Sequence, residues 1–205
     1  MGACTIAGVN AQSEQPGFAG VLTFWFGAPS SPDLGRPRAE WFRKDPAFDE
    51  TIRSQFGELH VDALAGKLDE WSATPYACLA LVIVLDQFPR NLFRNDARAF
   101  AADAKALHVA RTAVERGFDK LLRPVERTFL YLPFEHAEDL PAQHRSLQLF
   151  ESLRESPGGE SLVEYAHRHF EIIARFGRFP HRNAALKRTS TAEEIEFLQR
   201  PGSGF

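Results

Sequence analysis

Cysteine and methionine are scarce in this sequence of 205 residues, which contains two Cys and a single Met. Cys4 stands near the amino terminus and Cys78 in the most apolar stretch, so the sequence offers neither a disulfide framework nor a cysteine pair for a metal. Cysteine usage of this kind favours a cytoplasmic location. Because 18 Phe accompany the single Met, we expect a core of stiff aromatic rings with one well-defined packing.

Long apolar runs are missing as well. The most apolar run, Cys78 to Leu85, stops at Asp86, well short of the roughly 18 residues that a membrane-spanning helix requires. A secretory signal has a basic segment followed by a long apolar segment, and residues 1–16 contain neither. We expect residues 1–16 to be a flexible leader and residues 17–205 to form a single soluble domain with no membrane partner.

Positive charge is not in excess, since 24 Lys and Arg stand against 27 Asp and Glu, for a net charge of −3. A protein with this balance lacks the broad positive face that nucleic acids or anionic membranes require. We therefore predict no nucleic-acid partner. Any positively charged binding site has to be local.

Motifs of metal and cofactor enzymes are also absent. The sequence has no H-E-x-x-H, and its single Glu-x-x-His, Glu164 to His167, falls short of the two that a di-iron helix bundle needs. A nucleophile elbow, a phosphate-binding glycine loop and a dinucleotide fingerprint are likewise missing. We predict no metal and no other cofactor, and the sequence leaves open whether the protein is an enzyme.

Helical periodicity is what the sequence does contain, and no segment shows the alternation of a β-strand. Asp45-Pro46 and Thr74-Pro75 combine a capping residue with a proline in the first turn, which is typical of helix starts, and Gly177 is a typical helix stop. The connections between helical segments are short. We predict an all-α fold, a stack of about seven to nine mostly antiparallel helices.

The most apolar helix ends in a polar cluster within the stretch CLALVIVLDQFPRNLFR, Cys78 to Arg94. Pro89 disfavours helical backbone at the residue before it, so we expect the helix to end near Gln87 with Asp86 in its last turn. An acid there opposes the helix dipole at a cost of about 0.3–1 kcal/mol, unless a cation such as Arg90 compensates it. This unfavourable placement is the first indication of a functional site.

A similar ending, again with Phe-Pro followed by Arg-Asn, occurs in RFGRFPHRN, Arg175 to Asn183. Residues 175–188 contain five Arg and Lys residues and no acid. Phe88 and Phe179 should anchor the two endings in the core, where opposite charges can meet. We expect the following side chains to converge around one polar cleft: Asp86, Arg90, Glu135, His136, Arg178 and Arg182.

A third polar cluster is EHAED, Glu135 to Asp139, which follows an apolar run. Glu135 and Asp139 are four residues apart, and Glu138 is three from Glu135, so we expect these acids to share one helical surface with His136. A solvated helix end would explain them. A His beside carboxylates is also how general-base pairs are built, which makes Glu135 and His136 the candidate catalytic residues.

Three functions remain open. In the one we favour, a binding module holds a small anionic ligand or a peptide carboxylate through fixed arginines. In the second, a hydrolase uses His136 or Glu135 as acid or base on a substrate held by the same arginines. In the third, a scaffold contacts a protein partner through exposed aromatic residues such as Trp41 and Trp71.

A closed network of buried ion pairs, without room for a ligand, would explain the same cluster. The sequence contains no indication of the oligomeric state. The predicted ligand-binding residues are Asp86, Arg90, Asn91, Glu138, Arg178, His181, Arg182 and Asn183.

Six blocks are distributed along the chain: FWFG (Phe24 to Gly27), WFRKDPAFDE (Trp41 to Glu50), LDQFPRNLFR (Leu85 to Arg94), FLYLPFEHAED (Phe129 to Asp139), RFGRFPHRN (Arg175 to Asn183) and STAEEIEFL (Ser190 to Leu198). Together they resemble the bacterial domain of unknown function 924 family, over nearly the whole chain apart from the leader. The resemblance implies a tetratricopeptide-like helical fold. It implies no activity, so no catalytic residue can be assigned from it.

Overall fold

The computed structural model describes residues 17–32 and 34–204, so the expected leader at residues 1–16, with Cys4, lies outside the described residues. Within these two ranges the chain is helical and forms no β-strand, which confirms the all-α prediction. The α-helices of the described part are α1 (Phe18–Phe26), α2 (Pro46–Leu64), α3 (Pro75–Val82), α4 (Phe88–Leu92), α5 (Asp103–Glu115), α6 (Pro124–Glu135), α7 (Leu140–Glu151), α8 (Gly159–Phe176) and α9 (Ala192–Leu198).

Asp45 and Gly177 cap helices where the sequence predicts, whereas Thr74 precedes α3 without a capping hydrogen bond from its side chain. The Oδ1 atom of Asp45 accepts hydrogen bonds from two backbone N–H groups in the first turn of α2, at 3.0 and 3.2 Å. Thr191 and Glu194 form a reciprocal capping box at the start of α9. Gly177 ends α8 in the left-handed conformation, with a φ of 69° that favours glycine.

The central helical run continues past its predicted end. A π-helical turn, Ile83–Gln87, joins α3 to α4, and the Phe88 N–H donates to the carbonyl five residues back. Pro89 therefore falls in the first turn of α4, where its missing N–H group costs least. The prediction that the helix ends near Gln87 is wrong, and Asp86 lies inside a continuous helical run.

This central run forms the middle of the core. Every residue from Ala77 to Leu85 is buried, and Leu81 and Leu85 have no exposed surface. Helix α3 packs against α1, α5 and α6. Phe88 and Phe179 are both fully buried, so each Phe-Pro ending is anchored by its ring. Burial on all sides explains why the run is continuously apolar instead of amphipathic.

An aromatic group on one side of the core fixes the segment between α1 and α2. Trp41 is buried, its ring centroid lies 4.7 Å from that of Phe129, and its Nε1–H donates to the carbonyl of Trp25 at 3.0 Å. Trp71 is half-buried. The exposed aromatic residues expected of a protein scaffold are therefore not found at these two positions, whereas Phe42 is 66% exposed.

Helices α6, α7 and α8 pack in succession, and α6 also contacts the π-helical turn. The carboxyl end of α6 consequently lies beside Asp86. In the described ranges, no helix combines the length and the apolar character of a membrane-spanning segment.

Candidate functional site

A cavity of about 1160 Å³ lies between the segment before α2, the end of the central run, α6 and the start of α8. Large apolar side chains line part of it, among them Trp41, Phe42, Phe129 and Leu132. Five further lining residues, mostly buried, carry polar groups and are called the polar cluster below: Gln87, Arg90, Glu135, His136 and His169.

Asp86 organises the polar cluster from beneath. Its carboxylate has no exposed surface, and the Nδ1–H of His136 donates to both oxygens, at 2.8 and 3.0 Å. Arg90 Nη1 lies 3.2 Å from Oδ1, and the Gln87 amide donates to Oδ2 at 2.5 Å. Burial alone would raise the pKa of Asp86, but Arg90 and His136 outweigh it and hold the pKa well below its ordinary value. The carboxylate is therefore ionised.

Asp103, at the start of α5, joins two of the predicted arginines. Arg90 donates to its two oxygens at 3.0 and 3.1 Å, and Arg182 Nη1 donates to Oδ2 at 3.1 Å. Arg182 also donates to the backbone carbonyl of His136 at 3.0 Å. Nothing in the sequence marks Asp103 as a site residue, because an acid in the first turn of a helix is already explained by the helix dipole.

Glu135 is the unusual acid of the polar cluster. It is 4% exposed, and no Lys or Arg of the described ranges lies within ion-pair distance of it. Burial first, and the charge of Asp86 second, raise its pKa to about 8. The carboxyl group is consequently protonated at neutral pH.

His169 of α8 faces Glu135, with its Nδ1 3.0 Å from Oε1 and 2.9 Å from the carbonyl of Tyr165. Burial lowers the pKa of His169 to about 2. His169 is not among the residues predicted from the sequence. Its spacing from Ala166 and Ile173, three and four residues away, places it on the buried face of α8 and would have identified it.

The EHAED segment does not form one helical surface, contrary to expectation. Helix α6 ends at Glu135, and His136 is its carboxyl-terminal cap. Glu138 instead accepts hydrogen bonds from the backbone N–H of Phe179 at 2.7 Å, and Asp139 caps α7. The chain turns between the two helices, so only the first two residues of the segment face the cavity.

Arg178 does not join the cavity. Its guanidinium donates to both oxygens of Glu194 at 2.6 and 2.8 Å, whereas Arg182, four residues later, reaches Asp103. Asn183 also donates to Glu194, at 3.3 Å, and its Oδ1 accepts from Arg188. The second Phe-Pro ending therefore supplies one arginine to the network beneath the cavity and another to a separate network at α9.

The remaining predicted ligand-binding residues also divide between the cavity and other parts of the structure. Glu138 accepts from Arg188 at 2.6 and 2.9 Å, in the α9 network. Asn91 lines the cavity, but its amide donates to Asp49 at 2.8 Å. His181 is half-buried, and burial lowers its pKa to about 4. Neither Glu138 nor His181 lines the cavity.

Charge on the cavity lining is strongly one-sided. Among the described residues, Glu135 is the single acid that lines it. The same part of the chain holds no group of three His, Cys, Asp or Glu side chains arranged for a metal ion. Six cationic side chains line the cavity: Arg43, Lys44, Arg90, Arg94, Arg123 and Arg168.

Comparison with known proteins gives a family and a fold. Residues 21–202 match the family described as bacterial protein of unknown function (DUF924). The solved structure of the protein of unknown function ATU0120 from Agrobacterium tumefaciens is similar, with 41% sequence identity and a TM-score of 0.78. The similarity covers 89% of this chain and 96% of that one. No curated protein matches the chain.

Proposed function

The chain belongs to DUF924, a bacterial family of unknown function, and we propose from the cavity itself that the protein binds an anionic amphipathic small molecule. The ligand class is an organic acid in which a carboxylate or phosphate is attached to an apolar body. The observation that carries the proposal is the six-to-one excess of cationic over acidic side chains on the cavity lining.

The charge excess supports an anionic ligand because the single acid does not offset it. Glu135 is held protonated by burial, so it adds no negative charge at neutral pH. Arginine binds carboxylate and phosphate through two parallel hydrogen bonds, and a cavity shielded from water strengthens such contacts. A cationic or neutral ligand would make no use of the cations on the lining that lack a close acidic partner.

Not all six cations are equally available to a ligand. Arg90 is committed to Asp86 and Asp103, and Arg94 donates to Asp49 at 2.7 and 2.8 Å.

Arg123, whose side chain is 51% exposed, has a longer contact of 3.4 Å with Glu126. Arg43 lies 3.9 Å from Asp45, and Lys44 has no ion pair in the described part of the chain. Long ion pairs of exposed cations contribute little to stability, so Arg43 and Arg123 can turn to an anion at low cost, and Lys44 has no such pair to break.

The apolar part of the cavity lining is the evidence that the ligand has an apolar body. Trp41, Phe129 and Leu132 present buried rings and methyl groups to the cavity, and Phe42 adds an exposed ring. The volume of about 1160 Å³ is at the upper end of small-molecule sites. A simple inorganic anion would leave most of this surface unused, which is why we specify an amphipathic ligand.

The test compares three probes that have nearly the same apolar chain and differ in the charge of the head group: decanoate, decanol and decyltrimethylammonium. Thermal unfolding and calorimetric titration should show binding of decanoate, weaker binding of decanol and none of the cation. A ligand that binds only the native state raises the unfolding temperature. At a ligand concentration of 100 times Kd, it adds about 2.7 kcal/mol to the free energy of unfolding. Equal responses to all three head groups would contradict the proposal.

Arg123→Gln is the informative variant, and Arg154→Gln is its matched control. Both arginines have a partly exposed side chain and pair with a Glu three residues away, but Arg154 does not line the cavity. The partner of Arg123, Glu126, is 5% exposed and that of Arg154, Glu151, is 54% exposed, so the unfolding temperature of each unliganded variant is measured as well. We expect Arg123→Gln to weaken decanoate binding about tenfold, the value of one charge-assisted hydrogen bond, and Arg154→Gln to leave it unchanged. Acetylated peptides ending in a free carboxylate test the peptide alternative in the same assay.

A further inference from the structure

We propose that the polar cluster is a general acid–base site that hydrolyses a carboxylic ester of the bound amphiphile, with His136 as the base and Glu135 as the proton donor. The proposal rests on the proposed function, because the substrate is a ligand of the same cavity. It assigns a reaction to residues that neither the family nor the similar structure connects with any activity.

His136 has the geometry of a base. Its Nδ1 is fixed on the ionised carboxylate of Asp86, which accepts hydrogen bonds and donates none, so the proton of the neutral ring is on Nδ1. The lone pair is then on Nε2, which has no hydrogen-bond partner among the described residues. The side chain lines the cavity and is 14% exposed. Asp86 is a positioning residue, since it does not reach the cavity itself.

Glu135 is the adjacent residue and lines the same cavity. A carboxyl group that is buried without a cationic partner keeps its proton at neutral pH and can donate it. Asp86 is ionised and Glu135 is protonated although the two groups are near each other. Opposite protonation of two neighbouring acids is the arrangement expected of an acid–base site.

The nucleophile in this mechanism is water, because no Ser, Thr or Cys of the described residues makes a hydrogen bond to His136. Nε2 takes a proton from the water, and the water oxygen forms a bond to the ester carbonyl carbon. The carbonyl electron pair moves onto its oxygen, beside the fixed guanidinium of Arg90.

When the intermediate collapses, the bond to the alcohol oxygen breaks and Glu135 supplies the proton that the leaving alkoxide needs. The proton on His136 then returns to Glu135 through solvent. One ester and one water become one acid and one alcohol, and no other reactant is required.

The pH dependence follows from the charged groups around the pair. Burial and Arg90 lower the pKa of His136, while Asp86 and Asp103 raise it, with a net decrease below its ordinary value. Activity should therefore be present at pH 6.5 and disappear only at lower pH. On the alkaline side it should fall as Glu135 loses its proton near pH 8. The titratable and charged groups that face this site are Asp86, Arg90, Asp103, His169, His181 and Arg182.

The experiment uses two monoesters of a straight-chain dicarboxylic acid, whose free carboxylate suits the cationic lining. The ethyl ester releases an alkoxide that needs a proton, whereas the 4-nitrophenyl ester releases a stable anion that does not. His136→Asn should lower both rates by about 100-fold or more, the contribution of a general base. The Asn amide can still donate to Asp86, so this variant removes the base and retains the contact.

Glu135→Gln should abolish hydrolysis of the ethyl ester and retain most of that of the 4-nitrophenyl ester. In the wild type, only the ethyl ester should show the alkaline decrease near pH 8. Asp86→Asn should shift the acidic side of the profile for both esters.

A merely structural role would affect both esters alike, so a parallel loss in Glu135→Gln overturns its assignment as proton donor. If the wild type and His136→Asn hydrolyse an ester at equal rates although that ester raises the unfolding temperature, the proposed catalytic role is wrong. The proposed binding function would still stand. Failure of every ester and of decanoate to bind overturns the proposed function itself. Should His136→Asn fail to fold, the wild-type profile decides, since an ethyl-ester rate without an alkaline decrease contradicts the mechanism.

Discussion

The carboxyl group of Glu135 lies 3.0 Å from Nδ1 of His169, and at neutral pH neither group is charged. Burial moves the two pKa values in opposite directions, raising that of the acid to about 8 and lowering that of the imidazole to about 2. The contact therefore joins two neutral groups and is not a salt bridge. The next residue along the chain, His136, pairs instead with Asp86, and in that pair the acid is ionised.

Glu135→Gln should change how stability depends on pH. A folded-state pKa of about 8 means that the stability contributed by the protonated carboxyl is complete below its unfolded value of 4.5 and is lost as pH rises through 8. The variant, which cannot ionise, should gain stability relative to the wild type between pH 6.5 and 8.5. The gain should be on the order of a few kcal/mol, since one pKa unit corresponds to about 1.4 kcal/mol.

Urea unfolding at pH 5.5, 6.5, 7.5 and 8.5 measures this difference. The buried histidines do not obscure it, because a lowered imidazole pKa affects stability below pH 6.5. Glu50→Gln is the control, since the Glu50 side chain is 69% exposed and lies outside the cavity. A difference between Glu135→Gln and wild type that stays constant over this range would show that Glu135 is ionised in the folded state.

Leu81→Ala should destabilise the protein by about 2–5 kcal/mol, the range for truncation of a fully buried Leu. Leu81 has no exposed surface and lies in the middle of the central run. The same change at Leu121, which is 64% exposed, should cost less than about 0.5 kcal/mol. Urea unfolding of both variants provides the comparison, and similar values would mean that α3 is not the centre of the core.

Arg178→Ala should lower the unfolding temperature without weakening decanoate binding. The change removes two charge-assisted hydrogen bonds from Glu194, which is 2% exposed, while the cavity lining is untouched. Arg175→Ala is the matched control, because its partner Glu193 has a 58% exposed side chain and can be solvated. Loss of decanoate binding in Arg178→Ala would place this arginine in the binding site after all.

Local sequence patterns were sufficient to predict the helices and the core. The capping residue Asp45 and the helix-ending Gly177 act within one helical turn, so their effect does not depend on where the helix lies in the fold. Continuous burial of residues 77–85 follows from their apolar composition. The pairing of Asp86 with Arg90 was also predictable, because the two residues are one helical turn apart. The reason for the pairing is the burial of the carboxylate and not the helix dipole, since the helical run continues past Gln87.

Only the tertiary structure decided which distant groups meet. Asp86 and His136 are 50 residues apart, and Arg182 and Asp103 are 79 apart, so their contacts depend on how whole helices pack. Nothing in the local sequence distinguishes Arg178 from Arg182. The turn after α8 nevertheless places Arg178 against α9 and Arg182 beneath the cavity.

The protonation state of Glu135 could not be predicted from the sequence for the same reason. A carboxyl group titrates according to the solvent and charges around it, and those are supplied by α8 and the central run and not by its neighbours in the chain. The sequence alone determined the types of residue that could form a site and the helices that present them. The packing of those helices determined which residues share the cavity and which of them are charged, because burial and proximity are properties of the folded chain.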